Sequence, residues 1–150
     1  MEDRNLYFTD MDGENVYSGS DSGVLCSQSI DLATARNIGV GSHKVFCVVE
    51  VTDALVGAND SLDIDFVTAD NAALTSSLVV IKQTAIQFAA AAAEGTRDYF
   101  EVPESFNYKE FIGIRVYARG SGAPSAGAIR ARLSLEPGVR HLYTSASTLG

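Results

Sequence analysis

Tryptophan is absent from this chain, histidine and cysteine occur twice each, and proline three times. Each shortage closes off a class of function. A sugar-binding module stacks its ligand on exposed aromatic faces, and without tryptophan only Tyr117 and Tyr143 offer themselves. Two cysteines do not make a disulfide scaffold, and with no CxxC and no close histidine pair a zinc site lacks its parts. Cys47 lies inside the apolar run VFCVV, so both thiols read as reduced, a Cys26–Cys47 disulfide being the alternative. His43 and His141 stand near no obvious nucleophile, and the G-x-S-x-G elbow of serine hydrolases is missing, so both read as surface residues. Gly39-Val40-Gly41 lacks the further glycine of a phosphate loop and precedes a strand pattern, not a helix. No apolar run is long enough for a membrane-spanning helix, and Met1–Phe8, with two acids, does not read as a secretory signal. The expectation is a soluble chain made in the host cytoplasm, with no membrane partner and no cofactor.

What is present is an ordinary globular balance, 46% apolar and 20% charged residues in a chain of single-domain length. The net charge of −8 argues against a phosphate-backbone binder, so no nucleic-acid partner is expected. The charge is unevenly placed. Residues 1–31 hold seven acids and one base, whereas residues 111–150 hold five arginines and one acid. The two ends of the chain are therefore expected to meet each other or a charged partner.

Short runs of β-formers recur from Val24 onward. Val45, Cys47, Val49 and Val51 share one face of a strand, and Leu62, Ile64 and Phe66 alternate with Asp63 and Asp65. Leu78–Ile81 is continuously apolar, as in a strand buried on both faces. Tyr99–Val102 is closed by Pro103. Ile112, Ile114 and Val116 alternate with Gly113, Arg115 and Tyr117, and Ile129, Ala131, Leu133 and Leu135 alternate with Arg130, Arg132, Ser134 and Glu136. Turn clusters at 39–42, 57–61, 70–71 and 120–127 separate the runs. The alanines of 89–93 are too short a run for a free-standing helix and read as a turn. The pattern predicts an all-β, jelly-roll-type β-sandwich over residues 24–137, preceded by an extended acidic arm (1–23) and followed by a tail (138–150). Leu6-Tyr7-Phe8 reads as an apolar anchor within the arm, outside the core, a frayed terminus being the alternative.

Asp10-Met11-Asp12-Gly13 has the form of the opening motif of haloacid-dehalogenase-type phosphatases. That chemistry needs a buried parallel strand to deliver the motif, and Glu14 stands where serine or threonine is usual, so a solvated acidic loop is the reading preferred. Asp10, Asp12 and Asn15 could form half of a calcium loop, but their spacing does not match an EF-hand, so a solvated acidic loop is the default reading, no metal site is expected, and a weak cation site is the alternative. If the apolar positions of the last two strands face inward, Arg115, Arg119, Arg130 and Arg132 face outward. Antiparallel pairing of those strands through 120–127 would then gather them into one basic patch. It reads either as a solvated face or as an electrostatic docking surface.

The order of motifs, Ser29-Ile30-Asp31-Leu32, Ala35-Arg36-Asn37-Ile38-Gly39, VFCVVEVT, LDIDFVTAD, GTRDYFEVPE, FIGIRVYARG and AGAIRARLSLEP, resembles the capsid cement (decoration) protein family of tailed bacteriophages over residues 29–136. The resemblance implies a jelly roll that binds the outside of the major capsid protein shell and staples neighbouring capsomers, as a dimer or trimer and without catalysis. The acidic arm and the tail exceed the family's usual ends. Leu6, Tyr7, Phe8, Leu142 and Tyr143 are therefore expected, with the four arginines, to contact the capsid or a neighbouring subunit. The alternative is a jelly-roll module for a glycan or host receptor on the virion surface.

Overall fold

The structure is a computed structural model that describes residues 6–15, 24–33, 44–56, 61–89, 91–104, 106–119 and 126–135. Among them are nine strands: β1 (Glu14–Asn15), β2 (Val24–Leu25), β3 (Ile30–Asp31), β4 (Phe46–Val56), β5 (Ser61–Ala69), β6 (Val79–Ala89), β7 (Arg97–Glu101), β8 (Phe111–Arg119) and β9 (Ala126–Ser134). They form two antiparallel sheets. One runs β1-β9-β4-β7; the other runs β2-β8-β5-β6, with β3 pairing β8 beyond β2. The chain is all-β, and the alanine run forms a turn closed by a bond from the Ala92 amide to the Ala89 carbonyl, 3.0 Å.

Alternation decides what lies between the sheets. Cys47, Val49 and Val51 of β4, Ile129, Ala131 and Leu133 of β9, and Phe100 of β7 meet Leu62, Ile64 and Phe66 of β5, Ile112, Ile114 and Val116 of β8, and Ile86 and Phe88 of β6. Phe66 is the hub: the rings of Phe8, Phe100 and Tyr108 pack edge-on to it at centroid distances of 6.0, 5.4 and 6.3 Å. Full burial of such a side chain stabilises by ~1.5–3 kcal/mol. Cys26 and Cys47 are free thiols inside this core.

Two expectations about placement are corrected. Tyr7 and Phe8 are not an anchor outside the core, since they are 2% and 0% exposed. The Phe8 amide donates to the Ala131 carbonyl at 2.9 Å, the Ala131 amide to Thr9 Oγ1 at 3.0 Å, and Tyr7 bridges Arg132. Residues 7–9, with β1 opposite Ala128 and Ile129, thus line the edge of β9, and the ends of the chain do meet. Leu78–Ile81 is not buried on both faces. Val79 and Val80 are each 38% exposed, because β6 ends its sheet among the described residues and has no second neighbour there. On β5 the alternating Asp63 and Asp65 are themselves buried.

A loop covers part of the outer face of the second sheet. Loop 70–78 turns back over it, tied by Asn71 Oδ1, which accepts from the amides of Thr75 and Ser76, both at 2.9 Å. Its Leu74, at φ 55°, packs with Val67 and Ala69 in a small second core. Leu74 fills the space above Gly113: a Cβ there would stand 2.2 Å from Leu74 Cδ1.

Candidate interaction face

The four arginines do not form one patch. β8 and β9 are consecutive in sequence but belong to opposite sheets, so Arg115 and the Arg130/Arg132 pair lie on opposite outer faces. Alternation specifies inside against outside. It carries no information on which sheet a strand joins, because that depends on how the connection crosses the sandwich. Arg119 ends β8, and its side chain lies outside the described residues, as do Leu142, Tyr143, His43 and His141.

Arg115 is a structural arginine. It sits directly opposite Asp65 across β5 and β8, its guanidinium 3.2 Å from Asp65 Oδ2 and 4.7 Å from the centre of the Tyr117 ring. Asp65 uses its other oxygen to accept the Thr84 amide, 2.8 Å away, at the irregularity of β6 where Thr84 has φ 44°. Beside it, Asp63 Oδ1 accepts from Ser61 Oγ at 2.8 Å and Gln87 Nε2 at 2.9 Å. Arg115 Nε in this row is buried without a hydrogen-bond partner among the described residues.

The outer face of the other sheet is arranged differently. Cross-strand register sets out three rows over β9, β4 and β7: Ser134–Phe46–Glu101, Arg132–Val48–Tyr99 and Arg130–Glu50–Arg97. In the third row Glu50 Oε2 accepts from Arg97 at 2.6 Å and from Arg130 at 3.0 Å. Burial pushes the Glu50 carboxyl up, but the two guanidiniums outweigh it and hold it below the ordinary glutamate range. Arg130 also donates to the Met11 carbonyl at 3.2 Å, fixing the acidic turn beside this face. In the rows above, the Tyr99 ring is 49% exposed and stacks edge-on against Phe46, 5.8 Å between centroids. Lys44 Nζ lies 2.8 Å from Glu101 Oε2 at the end of the face.

Next to the Arg130–Glu50–Arg97 row is a depression of about 400 Å³ lined by Glu50, Val51, Thr52, Glu94, Gly95 and Arg130. It forms where β4 bulges between Val51 and Asp53 and the Gly95 amide donates to the Val51 carbonyl at 2.7 Å. Thr52 Oγ1 in its lining, and Arg97 Nε in the neighbouring row, are buried without a hydrogen-bond partner among the described residues. Gly13, at φ 103°, lies against Thr52, since a Cβ on it would stand 2.2 Å from Thr52 Oγ1.

The sequence reading thus located Arg130 and Arg132 but missed Phe46, Glu50, Arg97 and Tyr99, which complete their face. The available signal was the alternation of RDYFE, in which Phe100 points inward and Arg97, Tyr99 and Glu101 point outward. The Asp10–Gly13 motif sits on an exposed turn, closed by a bond of 3.1 Å from the Gly13 amide to the Asp10 carbonyl, ahead of a two-residue antiparallel edge strand. The phosphatase motif needs a buried parallel strand instead. Leu6, 40% exposed, is the one member of the apolar anchor that reaches the surface. No group of three metal-ligating side chains occurs among the described residues, and none of their helices is long and apolar enough to cross a membrane. No protein-family model matches this chain, and a search of curated proteins finds no relative.

Proposed function

We propose that this chain is a structural virion protein without catalytic activity, a cement or decoration module that binds the exterior of a phage capsid shell and staples neighbouring capsomers as a homo-oligomer. The observation that carries the reading is the strand order. With β2 and β3 counted as one interrupted strand, the sheets run first-eighth-third-sixth and second-seventh-fourth-fifth, and every connection but that from β5 to β6 crosses between sheets. This order supports a double Greek key jelly roll, an architecture recurrent in capsid and lectin domains and the fold that the sequence resemblance implies. Fold alone does not specify function, so the resemblance supplies the role and the strand order its support. The role also suits a module whose accessible features are a flat mixed face and apolar side chains at strand ends, because repeated weak sites on a lattice gain avidity from their number. The test is mass spectrometry of gradient-purified phage particles encoding this chain. The reading expects stoichiometric amounts that persist through the gradient, and a chain recovered only in the soluble lysate would overturn it.

A second reading, a glycan-binding module on the virion surface, draws on the exposed Tyr99 ring of the sheet that also carries the polar depression. It predicts that an oligosaccharide quenches or shifts the Tyr99 signal, which capsid cementing does not require.

A further inference from the structure

Among the described residues, β6 and β7 end their sheets on the same flank of the sandwich, where Lys82 of β6 reaches the Phe100 ring of β7. The two edges are not alike. β7 is five residues long, and its Tyr99 amide donates to the adjoining Asp98 Oδ1 at 2.8 Å. β6 is eleven residues long and reads VVIKQTAIQFA, with Lys82 its one charge and neither proline nor glycine. Among the described residues it pairs only with β5, and Val79 and Val80 stand exposed on it. A long, weakly charged edge rich in β-branched residues is a template for pairing with a second copy of the same chain. We propose that β6 carries a built-in guard against that pairing, made of the inward-turned Lys82 and of a break in the strand that Asp65 holds in place. This guard belongs to the isolated chain and does not depend on the virion role; copies in an oligomer then meet through surfaces other than this edge.

The break lies in the register. Ile64 faces Ile86 and Phe66 faces Lys82, so Gln83, Thr84 and Ala85 stand against Asp65 alone. Val67 in turn faces Val80, which leaves Ile81 without a counterpart. β6 is thereby divided into an even stretch, Ile86–Ala89, and a pair, Val79–Val80. Extra residues bend a strand and raise its twist, so a straight neighbour cannot follow β6 from end to end. Thr84 has φ 44°, a left-handed backbone that a β-branched residue adopts only under constraint. The constraint is Asp65, 1% exposed, whose Oδ1 accepts the Thr84 amide at 2.8 Å while Oδ2 holds Arg115 at 3.2 Å. Lys82 is the second element. Its register partner Phe66 belongs to the core, and Lys82 Nζ lies 5.2 Å from the centre of the Phe100 ring in the opposite sheet, on a residue that remains exposed. A strand laid along β6 would draw that ammonium out of water beside an aromatic ring, and desolvating a charge is costly. Bulges and inward-pointing charges are among the devices by which edge strands avoid edge-to-edge association.

The experiment compares the full-length chain with Lys82→Val and with a variant lacking Gln83 and Thr84, which leaves one residue opposite Asp65 and restores an even register. Sedimentation velocity over a range of protein concentrations measures association, and amide hydrogen exchange locates it. Each variant should associate at least about tenfold more strongly than the unaltered chain, with the added protection confined to residues 79–89. Lys82→Arg, which keeps the charge, and Lys44→Val, which removes the same charge at a site off β6, should match the unaltered chain. If the deletion variant does not fold, Lys82→Val decides alone, since it leaves the bonds of Asp65 in place. A folded Lys82→Val that associates no more than the unaltered chain, or added protection outside residues 79–89, would overturn the proposal. So would slow exchange at every amide of 79–89 in the unaltered chain, the mark of an edge already covered.

Discussion

Asp65 and Arg115 face one another across the β5–β8 ladder, 3.2 Å apart, with the carboxylate side chain 1% exposed and the guanidinium 18%. Such a pair is a poor source of net stability when intact, because both ions are desolvated, but removing one partner leaves a buried charge alone. Arg115→Ala should therefore destabilise the fold by ~3–5 kcal/mol in urea denaturation. An equally exposed Asp–Arg contact would cost ~1 kcal/mol or less, and a loss that small would refute the structural role given to Arg115.

Gly113 has no room for a side chain. Alanine there meets Leu74 Cδ1 at 2.2 Å, so Gly113→Ala is expected to cost ~1–3 kcal/mol from overpacking. Leu74→Ala, which opens that space at a residue 1% exposed, should cost ~2–5 kcal/mol. The double variant should cost clearly less than the sum of the two, because the new methyl occupies the space vacated. Additive losses in a double-mutant cycle would show that loop 70–78 does not rest on β8.

Phe8 tests whether the N-terminal segment belongs to the sandwich. Its ring packs on Phe66 at 6.0 Å and is fully buried, so Phe8→Ala should lower stability by ~3–5 kcal/mol. Deleting residues 1–9 should have a larger effect, since it also strips the partners of the Ala131 amide and carbonyl. A truncated chain with an unchanged midpoint would return these residues to the status of an appendage.

Glu50 makes the β9-β4-β7 face acid-sensitive. Burial works against its charge, but Arg97 and Arg130 hold its folded pKa below the unfolded value, so folding favours the ionised form. That contribution is complete above the unfolded glutamate pKa of about 4.3 and is lost as pH falls through the lower folded value. Glu50→Gln should flatten the pH–stability curve in this acid window and lower stability at neutral pH. A parallel curve at every pH would show that the two arginines do not act through this carboxylate.

The inward positions were readable because period two is a local property. Leu62, Ile64, Phe66, Ile112, Ile114, Val116, Ile129 and Ala131 are all buried where the alternation placed them. What was not readable depends on neighbours distant in sequence. β8 and β9 look like a hairpin in one dimension and lie in different sheets in three, which separates Arg115 from Arg130. Leu78–Ile81 and Leu6–Phe8 misled in opposite senses for one reason: burial of a short apolar run depends on whether another strand or sheet lies beside it. β6 ends its sheet, whereas residues 7–9 fill the edge of β9. The burial of Asp63 and Asp65 was not readable either, because their partners Gln87, Thr84 and Arg115 come from the strands on either side.

The central claim, a structural module on the outside of a phage capsid, is tested most directly by electron cryo-microscopy of intact particles encoding this chain. The account predicts density for a two-layer β-sandwich outside the shell at symmetry-related positions. An outer surface bare of such density, on particles that are otherwise complete, would contradict it.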